Sequence, residues 1–306
     1  MQYPNRNTLK VPFYAKTVTK IATKEAISVH SPALKRRQLS AALRQLREER
    51  GMTSTEAAKS LEWPASKITR IERNEWKLPN VHDIRLLLDL YAVTQQSRRE
   101  ALLTLARESR QRGWWADYKD VFRSNLPAFE AGASLIRTYE SLLIPGLLQV
   151  AGYTAAVFRG GQVIAPSTVE RHVEARRTRQ KILDRKEPPS LVALIDEAAL
   201  LKNIGGRAVM REQIQHLITM AARPNITIQV IPNSIGAHSA LTSPPFLILN
   251  FPGDPSLIYM ATATETHWLE RPEECHKYGL IFTHVSTLAL SPEETTRHMA
   301  ALIAHE

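Results

Sequence analysis

Between Leu34 and Gly113 the apolar residues recur at helical spacing in five short runs, each opened or stopped by a residue that fixes a helix end. Leu39, Leu43 and Leu46 fall at i, i+4 and i+7 among arginines and predict an amphipathic helix from Leu34 to Arg50, stopped by Gly51. Thr53-Ser54-Thr55-Glu56 reads as a capping box opening a second helix through Ala57, Ala58 and Leu61. Pro64 suits the first turn of a third, from Ala65 to about Arg73. Asn80 caps a fourth with Ile84, Leu87, Leu88 and Tyr91 in one stripe, and Ser97-Arg98-Arg99-Glu100 predicts a capping box for a fifth running to Gly113. Helices this short are marginal alone and gain stability by packing their apolar stripes together, so this stretch must be a small all-α bundle. Its second and third helices, joined by a tight turn, have helix-turn-helix form. Ile68 and Ile71 of the third helix face inward, while Ser66, Arg70 and Arg73 line the opposite face with Lys67 beside them.

The distribution of charge gives that outer face a use. Of the net charge of +10, residues 1–113 hold 22 Lys and Arg against 11 Asp and Glu, and residues 114–306 hold 18 against 19. A basic head on a near-neutral body suits binding to nucleic acid, because phosphate neutralisation supplies most sequence-independent affinity. Residues 1–33 carry five basic residues against Glu25 without periodicity, and are expected to form a flexible basic arm. No continuous apolar run opens the chain, and the longest uncharged stretches are broken by proline and glycine, so neither a signal peptide nor a spanning helix is expected. The single cysteine, Cys275, excludes an intrachain disulfide and suits a reducing cytoplasm.

After Trp114 the pattern changes. Trp114 to Tyr118, and then Ser134 to Phe158 with its Pro145-Gly146 break, read as helices with an aromatic segment packed between domains. Ser167-Thr168-Val169-Glu170 predicts a cap for a charged helix to about Asp184. Its basic run, Arg171, Arg176, Arg177, Arg179 and Lys181, is offset by Glu170, Glu174 and Asp184 and reads as a solvated face, with a partner-docking surface as the sharper alternative. Leu191–Ile195, Ile226–Ile231, Phe246–Phe251 and Leu257–Ala261 read as four strands, the last two joined by a hairpin-like turn at 252–255. After the stretch 197–201 and a Gly205-Gly206 turn, a helix is expected over 208–222, and a last one after the capping box Ser291-Pro292-Glu293-Glu294. The expected architecture is multi-domain: an all-α five-helix head, then an α+β domain with a small mixed sheet. The boundaries are a basic arm over 1–33, the helix-turn-helix domain over 34–95, a connecting helix and aromatic linker over 96–118, and a sensing or partner-binding domain over 119–306.

Leu46-Arg47, Arg50-Gly51-Met52, Glu56-Ala57-Ala58, Leu61, the run from Ser66 to Glu72 and the run from Leu87 to Tyr91 together resemble the XRE-type, Cro/repressor-like helix-turn-helix domain. Gly113-Trp114-Trp115, the run from Ile136 to Glu140, the run from Ile144 to Gln149, the run from Asp196 to Leu200, Arg223-Pro224-Asn225 and Gly236-Ala237-His238 resemble the C-terminal domain of unknown function found in WhiJ-like, antitoxin-like actinobacterial regulators. The resemblance implies a cytoplasmic DNA-binding transcriptional regulator, often encoded beside a small protein partner. It also implies an ion pair between Arg47 and Glu72. On the outer face Arg70 is expected to read a base edge, with Ala65 and Ser66 near neighbouring bases. Lys67, Ser54 and Thr55 are expected at phosphates, and Thr69 and Arg73 complete the DNA-facing set. A homodimer on a double-stranded operator is expected, joined through Trp114-Trp115 or the apolar stretch from Leu142 to Phe158. Three positions depart from the pattern: Ser54 stands in place of a usual Gln, Glu62 in place of a turn Gly, and Pro64 in place of a Ser or Thr cap.

An enzyme carried by a DNA-binding head is the rival reading, with its chemistry between residues 190 and 285. The chain has no G-x-S-x-G, H-E-x-x-H or G-x-x-x-x-G-K motif. His267, Cys275, His276 and His284 match no zinc spacing. His238, near Asp196 and Glu197, is the one tempting base, and a hydrogen-bonded structural histidine is the plainer reading. No catalytic residue, cofactor or metal is expected.

Overall fold

The computed structural model describes residues 31–76, 78–122, 124–161, 165–262 and 264–304. The head is five helices: α1 (Pro32–Glu49), α2 (Ser54–Ser60), α3 (Ala65–Glu72), α4 (Val81–Leu90) and α5 (Gln96–Glu108). They enclose one core of Leu39, Leu43, Leu46, Ala57, Ala58, Ile68, Ile71, Ile84, Leu87, Leu88 and Leu103. The first four end by the same device. A residue in the left-handed region follows each helix, Gly51 (φ 64), Glu62 (φ 53), Asn74 (φ 58) and Ala92 (φ 47), and the two amides there return to the last turn. After α2, Glu62 N donates to Lys59 O at 3.1 Å and Trp63 N to Ala58 O at 2.9 Å. Only α1 uses glycine for this, so Glu62 and Ala92 hold a conformation that costs an L-residue about 1 kcal/mol.

The body follows a 3₁₀ turn at Trp114–Tyr118. Its elements are α6 (Leu126–Gly132), β1 (Leu135–Glu140), α7 (Ala151–Gly161), α8 (Val169–Gln180), β2 (Ser190–Asp196), α9 (Glu197–Leu201), α10 (Arg207–Ala221), β3 (Ile226–Ile231), β4 (Phe246–Phe251), β5 (Asp254–Ala261), β6 (Thr266–Leu269), α11 (Pro272–Leu288) and α12 (Pro292–Ala304). The strands form one mixed sheet in the order β3-β2-β1-β4-β5-β6. Pairing is parallel across β1, β2 and β3 and antiparallel from β1 through β4 and β5 to β6. Alternation along each strand splits the core in two. Ile136, Leu191, Ala193, Ile228, Leu249 and Tyr259 pack on one face with Phe129 of α6, Tyr153 of α7, Leu217 of α10 and Met299 of α12. Tyr139, Leu194, Phe246, Ile248 and Ile258 pack on the other with Phe282 and Val285 of α11.

Several expectations change here. The sheet has six strands, not four: β1 lies where helices are expected over 134–158, and β6 is a four-residue edge strand. Helix α11 has no counterpart in the expectations from sequence. The Ser97 box does not form, because α5 is already running at Gln96, whose Nε2 donates to Glu100 Oε1 at 3.1 Å, and it ends at Glu108. The Thr168 side chain likewise donates backwards to Ala165 O instead of capping α8. The Ser291 box does form, with Ser291 N donating to Glu294 Oε2 and Glu294 N to Ser291 Oγ. Of the arm expected over 1–33, residues 1–30 lie outside the described residues. Ser31 to Ala33 are the cap and first turn of α1, buried against the body.

That contact joins the two parts of the chain. Ala33 and Leu34 belong to the body's core, although they are on the same helix as Leu39, Leu43 and Leu46 of the head's core. The Ser31 hydroxyl donates to Ala128 O of α6. Gly132, at the end of α6, approaches so closely that a Cβ there would lie 2.9 Å from Leu34 Cδ2. Farther along α1, Arg37 Nη1 donates to Pro255 O at 2.8 Å, and Gln38 Nε2 donates to Asp254 Oδ2. Chemical denaturation of the full chain, followed by tryptophan fluorescence and far-UV circular dichroism, is expected to show one shared transition. Leu34→Ala should lower stability by about 3 kcal/mol and split that transition into two, as head and body lose their common helix.

Candidate nucleic-acid interface

The outer face of α3 is set by its inner one. Ile68 and Ile71 are 1% and 3% exposed, so the helical period turns Ser66, Arg70 and Arg73 outward, and all three are exposed. Ala65 is exposed in the first turn, where Pro64 provides no side-chain cap and its carbonyl accepts from Lys67 N at 2.9 Å. Arg70 and Arg73 make no hydrogen bond or ion pair with any described residue, and two cations without partners on one helix face are available to an anion. Thr69 is half-buried at the side of this face.

Lys67 is placed differently. Its Nζ lies 2.9 Å from Asp83 Oδ2 of α4 and 3.6 Å above the Trp63 ring. The residue thus ties α3 to α4 and to the α2–α3 turn, and its charge is already shared. At the start of α2, Thr55 is exposed and Ser54 half-buried. The capping box there is complete: Glu56 N donates to Thr53 Oγ1 at 3.2 Å and Thr53 N to Glu56 Oε2 at 2.8 Å. The Thr53 amide, and the Thr53 hydroxyl that also donates to Glu56 Oε2 at 2.8 Å, hold the Glu56 carboxyl below its ordinary range, so a negative charge sits beside Ser54 and Thr55 at the helix entrance.

Behind the outer face, α3 is anchored by Arg47 and Glu72. Arg47 Nε donates to Glu72 Oε1 at 2.6 Å and Nη2 to Glu72 Oε2 at 2.8 Å, a two-pronged pair whose side chains are 12% and 8% exposed. Arg47 Nη1 also donates to Met52 O at 2.6 Å, which fixes the α1–α2 turn. The bond to Glu72 raises the guanidinium further above its ordinary value, and burial, with the Glu72 charge next, pushes the neighbouring Tyr91 phenol up. Arg50 Nε donates to Tyr91 O at 2.6 Å and closes α4 onto the same corner. Sequence reasoning missed Asp83 and Trp63 as the partners of Lys67, although Asp83 in the first turn of α4 and an aromatic four residues before Lys67 were both there to be read.

The remaining sequence candidates lie in the body. His238 Nε2 lies 3.8 Å from Asp196 Oδ1, Asp196 Oδ2 accepts from the Tyr139 hydroxyl at 2.8 Å, and the His238 side chain is 2% exposed and closed to a substrate. Glu197 is taken up by His298 at 3.0 Å and by the Asn233 amide at 2.8 Å. His267, Cys275, His276 and His284 do not gather, and no cluster of metal-ligating residues occurs among the described residues. Nor is any described helix long and apolar enough to cross a membrane. Of the two expected dimer surfaces, Trp114 packs on Trp115, Tyr118 and Phe122, and Trp115 lies against the body's core. The stretch from Leu142 to Phe158 is largely core, with Leu142 and Leu143 left exposed.

Comparison with known families gives two matches. Residues 38–102 match a family described as a helix-turn-helix domain, and residues 123–301, more than half of the chain, match a domain of unknown function, DUF5753. No curated protein and no solved structure gives a significant match. The two matches divide the chain as the expected resemblance does, into a DNA-binding head and an uncharacterised C-terminal domain.

The anchoring pair can be tested by itself. Arg47→Ala and Glu72→Ala should each cost about 3 kcal/mol, since either leaves a charge uncompensated in a mostly buried site, and the double variant should cost clearly less than their sum. Additive losses would show that the pair is not coupled. Glu62→Gly should move the other way and raise stability by about 0.5–1 kcal/mol by relieving the left-handed turn.

Proposed function

The chain belongs to the DUF5753 family and carries a DNA-binding helix-turn-helix domain in front of it, and from that premise we propose a sequence-specific XRE-type transcriptional regulator. The observation that carries this reading is the outer face of α3, where exposed Arg70 and Arg73 have no partner among the described residues and Ala65 and Ser66 are small enough for close approach. Arg70 reads a base edge, guanine O6 and N7 being the natural bidentate match for a guanidinium. Arg73, Thr69 and Thr55 flank it, and Ser54 sits at the phosphate backbone. Lys67 serves the DNA mainly by holding α3 against α4 through Asp83, and reaches a phosphate only by giving up that bond.

One head covers one half-site, so a useful operator needs two heads about 34 Å apart, and the regulator acts as a homodimer. The body senses an effector or a small protein partner, in an antitoxin-like arrangement within the cytoplasm. The rigid helix α1, built into both cores, supports that assignment because a change in the body has a direct mechanical route to the head.

Selection of bound sequences from random duplexes with the full-length protein should return a two-part site with half-sites one helical turn apart. Arg70→Ala should cost about 1–3 kcal/mol of discrimination at one base pair per half-site. Arg73→Ala should weaken binding evenly across sequences and lower the salt dependence. Selection that returns no common sequence, or an Arg70→Ala protein with unchanged preference, would sink the reading.

A further inference from the structure

On the helical side of the sheet, between β1 and α8, lies a cavity of about 320 Å³, a size at the lower end of small-molecule sites. Its walls are mostly apolar, with Leu126, Val157, Leu247 and Tyr259 among them, but Thr138, Glu140, Gln149, Arg176 and Arg179 also line it. Its two arginines are held unequally. Arg179 is fully matched, Nε donating to Glu130 Oε2 at 2.7 Å and Nη2 to Glu130 Oε1 at 2.6 Å. Arg176 has only a neutral partner, the Gln149 side-chain oxygen, and stacks 5.1 Å from the Phe158 ring. Gln149 is itself fixed, donating to Ile144 O at 2.7 Å and accepting from Thr154 Oγ1 at 3.0 Å. The Glu140 side chain makes no hydrogen bond and no ion pair with any described residue, although the charges of Arg176 and Arg179 act on it. Burial raises its carboxyl to about 7 and lowers the Arg176 guanidinium to about 10.

An enclosed guanidinium with a neutral partner is a costly arrangement, and the cost is recovered when an anion pairs with it. We infer that this cavity binds a small monocarboxylic acid, its carboxylate on Arg176, its apolar body against Val157 and Tyr259, and a polar substituent towards Thr138 and Glu140. A single carboxylate matches the one guanidinium of the cavity that no acid hydrogen-bonds. A phosphate would bring a second negative charge for which the cavity has no second open guanidinium, since Arg179 is committed to Glu130. A larger recess of about 660 Å³ shares Arg176, Val157 and Tyr259 and gives the acid a way in past His172 and Thr262.

The same residues lead to the head. Arg179 is one helical turn from Arg176, its partner Glu130 lies on α6, and α6 carries Ala128 and Gly132 against Ser31 and Leu34 of α1. Acid binding at Arg176 therefore acts next to the ion pair that positions α6. The effector role rests on the regulator reading above, while acid binding does not.

The test uses the full-length protein and isothermal titration with phenylacetate, indole-3-acetate, salicylate and octanoate, each beside its primary amide. At least one acid should bind saturably and its amide roughly tenfold or more weaker. R176Q should lose about tenfold or more, and V157F, which narrows the cavity without touching its charge, should lose binding as well, both being checked for native circular dichroism. Failure of all four acids to bind, amides binding as tightly as acids, or V157F binding like the parent would overturn the site. Gel-shift titrations on the selected operator with and without the bound acid separate the claims. Acid binding with unchanged operator affinity removes the effector role, and loss of all specific DNA binding removes the regulator reading while the titration still judges the cavity.

Discussion

One helix belongs to two cores, and the arrangement of the whole chain follows from that. Over its first turn α1 gives Ala33 and Leu34 to the body, and from Leu39 onward it gives its apolar stripe to the head. A helix is stiff over this length, so the orientation of the head is set by how Ser31, Leu34, Arg37 and Gln38 sit on α6 and on the β4–β5 turn. Gly132 permits the closest part of that contact, where no side chain has room. The head is thus not a bead on a linker, even though the sequence between α5 and α6, with its run of aromatics, has the look of one.

Within the head, helix ends and inward stripes were legible because they are local. Gly51, the Thr53 box and Asn80 mark ends through bonds to residues a few positions away, and those bonds form as the spacing requires, while Pro64 marks the start of α3 by its fixed backbone angle. Where a cap failed, a neighbour had already started the helix, as Gln96 does before Ser97. The body was less legible for a physical reason. β1 is one of the two middle strands, yet it carries Arg137, Thr138 and Glu140, polar residues that a buried strand should lack. They are tolerated because Thr138 and Glu140 look into a cavity, so the residues that conceal the strand are those that line the candidate ligand site. Helix α11 escaped notice because it covers an already apolar sheet face with few large side chains, Phe282 and Val285 being its buried ones. β6, four residues at the sheet edge, pairs with one strand only and needs little patterning of its own.

The two sites differ in the same way. Arg70 and Arg73 are readable because a helix with two inward isoleucines has a determined outer face. Lys67 misleads, since the same periodicity places it near that face and only the fold brings Asp83 to it. On α8 the error runs in the opposite direction. Five basic residues offset by acids suggest a solvated surface, and Arg171 fits, reaching across to Asp120 in the open. Val169 and Val173 nevertheless turn one face inward, and Arg176 continues that face at i+7 with Arg179 one turn beyond. The valines were visible in the sequence, but the acids that turn the arginines into a site were not, because Glu130 and Glu140 come from α6 and β1.

The buried arginines also explain why the body can be both stable and responsive. A bidentate pair as enclosed as Arg179 and Glu130 does little for net stability against an apolar replacement, but breaking it on one side is severe, about 3–5 kcal/mol. Such a pair specifies a position more than it strengthens a core, and the element it positions is α6, the platform on which α1 rests. Arg176 stands beside it without an equivalent partner, and its positive charge works against that of Arg179. An anion on Arg176 relieves that repulsion and changes what holds Arg179 towards Glu130, without contacting the head. The influence reaches the DNA face only because α1 is shared, so the coupling depends on the packing of Leu34 as much as on the charge in the cavity.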